Sequence, residues 1–422
     1  MIISNYLNSK QIIEIILILL PIALLFSNIV AEFFIIGLII FYFLNLNSKV
    51  FFKNLKEPIF LLILFFWLYL ILNFFINFEK NPSLERTIFF IRFPLLILSI
   101  SFFINNLNIN LKKIYGFWGI IILIICLDLI FQFFTQVNLF GYKAILQGAI
   151  YRLGGFMGDE LKISNLVFHF GAITFGYFFT NNFLSKNKFN FFNLLTLILL
   201  ILCIFITGER ANFLTISFYT LLLVMFICFK DIKYFLIFSS VLIAVYGAMY
   251  FSNSKISERM MENLVTKKIS LLKINSEKNF LNKNSHHFAH YSTAYQIFED
   301  HKLFGVGMKN FRNFCDNKKF NEKIHEKWRE KKCALHPHNF YFEILSELGI
   351  TGFIILLSFF TFSIFKFLKS KNNFIIISTF ILIAYFIPFL PRGGFFTNWN
   401  AIIFWTIFAL IYSNYVGLKK IL

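Results

Sequence analysis

The stretch HPHNFYFEILSELGITGFIILLSFFTFSIFK, residues 336–366, sets a segment with two histidines directly before a long apolar run. From 346 to 366 the only charged side chains are Glu347 and Lys366, one near each end. A run of about 20 residues with so few charges is long enough to cross a bilayer as a helix. The stretch therefore predicts a spanning helix that begins beside side chains able to do chemistry.

Similar apolar runs recur along the whole chain of 422 residues. The sequence is 58% hydrophobic and 14% charged, whereas soluble domains are about 25% charged. Because such runs indicate membrane helices rather than core helices, we predict an all-α integral membrane protein with about twelve transmembrane helices. The predicted spans are 11–28, 29–46, 58–78, 86–104, 113–134, 161–180, 190–207, 210–229, 231–251, 346–366, 373–390 and 400–418.

One interval between the predicted spans, 252–345, is large enough to form a small folded unit. We therefore divide the chain into 1–251, with helices one to nine and short loops, 252–345, a large helical loop, and 346–422, with helices ten to twelve. Within the loop, STAYQIFEDHKLFGVG has apolar residues at helical spacing and ends in glycine, which predicts a helix lying on the membrane face.

The net charge of +19 reflects the distribution of lysines among loops rather than one basic patch. If the N-terminus is cytoplasmic, lysines fall on all seven inward segments, as the positive-inside rule requires. We therefore expect both termini in the cytoplasm, the 252–345 loop outside, and no nucleic-acid binding. The inward lysines are Lys10, Lys49, Lys53, Lys56, Lys112, Lys113, Lys186, Lys188, Lys230, Lys233, Lys366, Lys369, Lys371, Lys419 and Lys420.

Several arginines fall on the outward side of this topology. Arg210 lies in TGERAN (207–212), a short connection between two apolar helices, so its guanidinium should lie at the outer mouth of the bundle. An arginine there is an interfacial anchor or faces a wet cavity, and fixed guanidiniums hold phosphate oxygens through bidentate bonds. In the alternative interpretation, Arg210 binds no phosphate and forms an ion pair with its neighbour Glu209. The other outward arginines are Arg152 and Arg392, and also Arg86 and Arg92, for which an anchor or ion-pair role is favoured.

All eight histidines except His169 lie between 286 and 338. Their spacing contains no HExxH motif and no paired CxxC motif, so we predict no metal site. Pro337 is expected in the first turn of a helix, which would hold His338 over the arginines, and imidazole accepts a proton near neutral pH. Because Pro337 fixes the turn, His336 is expected to point elsewhere.

These residues resemble the O-antigen ligase and polymerase family. HNFYFEILSELGITG, 338–352, contains His-Asn, nine residues, Gly, two residues and Gly, at the end of a long outward loop and before a late spanning helix. Three further pieces are similar to the same family: RLGGFMGDEL, TGERANFL and HYSTAYQIFEDHKLFGVGMKNFR. The resemblance covers most of the chain from 150 to 400.

The resemblance implies transfer of a polyprenyl-pyrophosphate-linked glycan, without metal or other cofactor, to a hydroxyl on lipid A-core or a growing glycan. The reaction would take place at the outer face of the bacterial inner membrane. His338 would act as the base, while Arg210 and a second loop arginine would hold the pyrophosphate. Many ligases carry that arginine where this chain reads SHHFAHY, so either a histidine, Arg259 or Arg312 replaces it or the role is absent. The remaining candidate substrate-binding residues are Arg152, Arg312, Arg392, His287, His336 and Asn339.

Other functions remain open at this point. A polymerase that adds one lipid-linked glycan to another uses the same chemistry, and a protein O-oligosaccharyltransferase is a less favoured alternative. A transporter or flippase for a lipid-linked anion would suit many helices and a basic cavity. It would more often show two similar halves with broken helices in both, and it would not need the long histidine-rich loop.

Two of the five cysteines, Cys315 and Cys333, lie in the outward loop. In an oxidising compartment such as the periplasm, paired thiols usually form a disulfide, so we predict a bond between them. Cys126, Cys203 and Cys228 fall within predicted spans and should stay reduced as small apolar residues.

Overall fold

The structure is a computed structural model of the chain. It describes residues 2–46, 55–80, 82–181, 191–252, 254–262, 286–324, 326–388 and 390–421. Among the inward lysines, Lys49, Lys53, Lys186 and Lys188 lie outside these ranges. The helices and strands are α1 (Ile2–Phe26), α2 (Asn28–Leu44), α3 (Pro58–Ile76), α4 (Leu84–Phe89), α5 (Arg92–Asn106), α6 (Leu111–Thr135), β1 (Ile145–Gln147), β2 (Ile150–Arg152), α7 (Ile163–Phe179), α8 (Phe191–Ile206), α9 (Arg210–Cys228), α10 (Ile232–Phe251), α11 (His286–Asp300), α12 (Phe340–Leu368), α13 (Asn373–Tyr385) and α14 (Asn398–Ile421).

The structure confirms the prediction of an all-α integral membrane protein. Within the described ranges, 8 helices are long and apolar enough to cross a membrane, with α4 and α5 together forming one of them. Four further apolar helices, α2, α7, α8 and α13, are shorter, at 10–17 residues. A helix therefore lies at each predicted span, but length alone would not identify four of them as spanning. The strands form one antiparallel hairpin, which the sequence analysis did not predict.

One continuous hydrophobic core joins the helices before the long loop to those after it. On one side, α5 packs against α2 and α14, and α3 packs against α12. On the other side, α6, α7 and α8 pack together, and α9 packs against α10. Helices α1 and α13 contact both groups. Aromatic rings fill the contacts: Trp405 of α14 is fully buried between Phe93 of α5 and Phe360 of α12.

The long loop has a second, small core of its own in its described part. Ala294 and Ile297 of α11 pack there with Val306, Phe311 and neighbouring side chains. The helix predicted after residue 292 is present, but it begins earlier, at His286, and ends at Asp300. The sulfur atoms of Cys315 and Cys333 are joined in a disulfide at the edge of this core.

A kink in α12 lets the loop pack against the bundle. At Gly349 the backbone has φ 67° and ψ −172°, which is not helical. A Cβ atom at Gly349 would lie 2.3 Å from Leu303 O, and one at Gly305 would lie 2.4 Å from the Glu347 carbonyl carbon. Two glycines thus allow close backbone contact, including the bond from Gly307 N to Glu347 O at 2.8 Å. The loop therefore fixes the first turns of α12, where the histidine motif begins.

Candidate active site

The backbone of His338 adopts an unusual conformation immediately before α12. Its φ is 56°, in the left-handed region that residues with a side chain rarely adopt. The N–H of His338 donates to Nδ1 of His336 at 3.1 Å, and its carbonyl accepts from the backbone N–H of Arg392 at 2.7 Å. Helix α12 begins at Phe340, so the expectation that Pro337 lies in the first helical turn is wrong. Contacts on both sides of His338 thus hold its conformation.

Three other imidazole rings surround His338. The ring centroids of His336, His290 and His287 lie 4.3, 5.2 and 5.4 Å from that of His338. His290 is buried, and its Nδ1 lies 3.0 Å from Lys332 O. The expectation that His336 points elsewhere is wrong, since its ring is the nearest of the three. Helix α11 and the segment before α12 together build this histidine cluster.

His336 stays neutral over the physiological pH range. The pKa of His336 is lowered to about 3, mainly by burial and to a smaller extent by the nearby His338, His290 and Arg312. Because Nδ1 of His336 accepts a hydrogen bond, the proton of the neutral ring lies on Nε2. His336 can therefore position His338 but cannot take up a proton itself.

The other polar residues of the motif hold neighbouring segments in place. Asn339 is buried and caps α12, accepting through Oδ1 from two backbone N–H groups of the first turn. Glu343 accepts from the N–H groups of Phe395 and Phe396 at 2.8 and 3.4 Å. The Glu347 carboxylate accepts from the N–H groups of Lys309 and Phe311 at 2.7 and 3.3 Å. Both buried carboxylates therefore fasten loops to α12, and burial of such groups requires these bonds.

A separate group of three arginines lies where α9 begins. Arg152 of β2 pairs with Glu209, and its Nη1 donates to Gln147 Oε1 at 2.6 Å. The pKa of Arg152 is lowered to about 10, mainly by burial and to a smaller extent by the charges of Arg259 and Arg210. The pKa of Arg259 is also lowered, by burial and then by Arg210. We call Arg152, Arg210 and Arg259 the arginine cluster. Arg210 is exposed, and its neighbour Glu209 forms an ion pair with Arg152.

Buried polar residues of α6 and a glycine turn hold the hairpin that carries Arg152. Asp128 and Gln132 are fully buried. Asp128 Oδ1 accepts from Leu139 N at 2.9 Å, and Gln132 Oε1 accepts from Gly155 N at 2.9 Å. Gly208 has φ 72°, and a Cβ there would lie 2.7 Å from Ile150 Cδ1. The TGER turn can therefore approach the hairpin closely enough for Arg152 to reach Glu209.

Arg392 links the histidine motif to the helix that begins with Arg210. Its backbone N–H holds the His338 carbonyl, while its Nη2 donates to Thr215 Oγ1 of α9 at 2.7 Å and to Ala384 O at 2.8 Å. The guanidinium also lies over the ring of Tyr385, 4.7 Å from its centroid. These contacts hold the Arg392 guanidinium against side chains and carbonyls of the protein, and the phosphate contact expected from the sequence stays a prediction.

The structure brings together some predicted residues and adds others. His287, His336 and Arg312 lie with His338, whereas Arg152 lies with Arg210. His290 was not among the predicted site residues, although it follows His287 by three positions and so shares a helix face with it. No comparable signal marks Asp128 and Gln132 beyond their presence in an otherwise apolar helix.

A comparison with known protein families gives a match in the part of the chain that contains Arg210 and His338. Residues 195–357 match a family model described as O-Antigen ligase. The match confirms the resemblance and supports a function of the O-antigen ligase or polymerase type in general. It spans Arg210, Arg259 and His338, while Arg152 and Arg392 lie outside it. No curated protein matches the chain significantly.

Proposed function

Because residues 195–357 match a family model described as O-Antigen ligase, we propose that the chain transfers a glycan from polyprenyl pyrophosphate to an acceptor hydroxyl at the outer face of the bacterial inner membrane. The acceptor is lipid A-core or a growing glycan. The observation that supports this most is the pairing of a histidine cluster with an arginine cluster, connected through the contacts of Arg392 with His338 and Thr215.

In the proposed mechanism, the imidazole of His338 accepts the proton of the acceptor hydroxyl. The hydroxyl oxygen forms a bond to the anomeric carbon, and the bond from that carbon to the pyrophosphate oxygen breaks. Its electron pair leaves with the polyprenyl pyrophosphate. A positioned base of this kind typically contributes ~10²–10⁴ in rate. Attack opposite the leaving group inverts the anomeric centre.

The arginine cluster receives the departing pyrophosphate. Arg210 is exposed, and Arg259 comes from the loop, so together they present two guanidiniums to the substrate, while Arg152 is fixed by Glu209. Like charges held close together disfavour one another, and a bound anion relieves that repulsion. Fixed positive charge at a leaving group is often the larger catalytic contribution. Arg259 is therefore our choice for the second arginine, ahead of Arg312, which lies beside His336.

His336 provides a test of how His338 is positioned. His336→Ala should lower the transfer rate about tenfold, because it removes a hydrogen bond worth about 1 kcal/mol or slightly more and releases a strained turn. His336→Asn should keep most of the activity, because asparagine can accept from the N–H two residues ahead of it. The rate is measured on purified protein at equal amounts. Equal losses of transfer rate in both variants would show that the His336 ring contributes in some way other than accepting the hydrogen bond from His338.

Glycan profiling of a deletion strain tests the function and separates the alternatives. A ligase predicts that long chains disappear from lipopolysaccharide while lipid-linked chains accumulate. A polymerase predicts single repeat units on the lipid core. Unchanged lipopolysaccharide and unchanged lipid-linked glycans would contradict the proposal. A transporter would instead be identified if the purified protein moved a lipid-linked glycan across vesicles without transferring it.

A further inference from the structure

A second group of positive charges lies where α4, α5 and α14 begin. Lys309 Nζ and Arg92 Nη2 donate to the same oxygen, Asn398 Oδ1, at 3.5 and 3.3 Å. The pKa of Lys309 is lowered to about 8, first by burial and then by the charges of Arg86 and Arg92, while the charges of Glu347 and Glu343 act in the opposite direction. Three cations are therefore close together, and two of them share a neutral amide oxygen.

The carboxylates near this group are already engaged elsewhere. Glu32 binds Arg92 through both carboxylate oxygens, at 3.1 and 3.2 Å, so the charge of Arg92 is compensated by this ion pair. The two oxygens of Glu347 accept from backbone N–H groups. Within the described part of the chain, neither the Lys309 ammonium nor the Arg86 guanidinium forms a salt bridge. These two cations can therefore form an ion pair with a bound anion without breaking a salt bridge of the described part of the chain.

Exposed apolar side chains flank the same place. Ile29 and Phe33 of α2 are 68% and 65% exposed, and they lie on either side of Glu32 in the sequence. On α4, Phe89 is 63% exposed and Ile88 is 43% exposed. In a bilayer such faces contact acyl chains, with cations beside them at the level of the lipid headgroups. The surroundings of Lys309 and Arg86 thus suit a ligand with an apolar tail as well as an anionic head.

The segment 390–398 separates this place from the histidine cluster. Toward one end, Arg392 holds the His338 carbonyl, and in the middle Phe395 and Phe396 bind Glu343. At the other end, Asn398 contacts Lys309 and Arg92. The arginine cluster lies on the α6–α10 side, whereas the Lys309 ammonium contacts Asn398 at the start of α14, which also binds Arg92 of α5. Transfer between two membrane-anchored substrates requires two such separate places.

We propose that Lys309 and Arg86 bind the phosphate group of an anionic lipid-anchored molecule. Resting on the function proposed above, this molecule is the acceptor. The phosphate accepts hydrogen bonds from the ammonium and guanidinium groups, the tail lies against the exposed faces of α2 and α4, and the glycan end reaches across segment 390–398 toward His338.

Lipid retention by the purified full-length protein tests the site without an assay of transfer. The protein is prepared in phosphatidylcholine nanodiscs with and without phosphatidylglycerol, and retained lipid is counted by native mass spectrometry. The combined variant Lys309→Gln, Arg86→Gln should retain phosphatidylglycerol at least about tenfold more weakly than the original protein, since each bond to a charged group contributes that much. The control Lys302→Gln changes an exposed lysine of the same loop and should retain it normally.

The site would be overturned by equal retention in the combined variant, by equal loss in the Lys302→Gln control, or by displacement of the lipid by inorganic phosphate. The last would indicate a site for a soluble anion. Unfolding temperatures of both variants, measured in the same nanodiscs, should match the original protein, and a drop in the combined variant alone would attribute lost retention to misfolding and overturn the site.

Transfer assays then test the acceptor assignment. The combined variant should raise the KM for the lipid-anchored acceptor about tenfold or more and leave the KM for the donor unchanged. A raised donor KM with a normal acceptor KM would overturn the assignment to the acceptor. If the original protein binds phosphatidylglycerol through Lys309 and Arg86 but transfers no glycan, the proposed function fails while the anionic lipid site stands.

Discussion

His338→Ala should lower the rate of glycan transfer by ~10²–10⁴ while leaving the protein in the membrane at its normal level. The alanine removes the imidazole that accepts the hydroxyl proton. It keeps the backbone groups that bind His336 and Arg392, so the surrounding loops should stay in place. The measurement is the initial transfer rate of purified protein, with membrane content checked by immunoblot.

His301→Ala is the matched control for this experiment. His301 lies in the same loop, but its Nδ1 is 3.3 Å from Ile297 O and its ring packs against Phe314 rather than in the histidine cluster. Its replacement should leave the transfer rate close to that of the original protein. Full activity of His338→Ala would remove His338 from the mechanism, whatever the control shows.

Arg210→Ala should lower the transfer rate by ~10²–10³, as removal of a fixed group that stabilises developing charge does in other enzymes. Arg210 is the exposed first residue of α9, so the fold should not depend on its side chain. Arg210→Lys should also fail if phosphate is held by two parallel bonds, because lysine cannot form them. The rate is measured with excess acceptor over a range of donor concentrations.

Arg329→Ala is the control for Arg210. Arg329 lies in the long loop, where it forms an ion pair with Glu326 at 3.6 Å and its Nε donates to two backbone carbonyls of the same loop. Ion pairs of this kind at a surface contribute about 1 kcal/mol or less. Its loss should not change transfer. If Arg210→Lys kept full activity while Arg210→Ala lost it, charge alone would be sufficient and the bidentate contact would be abandoned.

The membrane fold and the position of the histidine motif follow from the amino-acid sequence alone. Each spanning helix depends on a local run of apolar residues, so its existence can be read without knowing what lies beside it. The same holds for the helix in the loop and for the His-Asn motif before α12. Helix ends were less certain: α11 begins at His286, and α12 begins at Phe340.

Which polar side chains lie together depends on how the helices and loops pack. His290 joins His338 because α11 packs against the start of α12, and Arg259 joins Arg152 although the two lie far apart in the chain. The Arg392 guanidinium is held by Thr215 and Ala384, which supply acceptors for it.

The physical reason is the range of the interactions involved. Hydropathy is a property of neighbouring residues, whereas these side chains are placed by bonds between distant segments. The hydroxyl of Tyr69 donates to Leu348 O at 2.6 Å across 279 positions of sequence, next to the kink at Gly349. No local sequence pattern predicts such a contact. The sequence therefore identified the candidate histidines and arginines, and the packing of the helices determines which of them lie together.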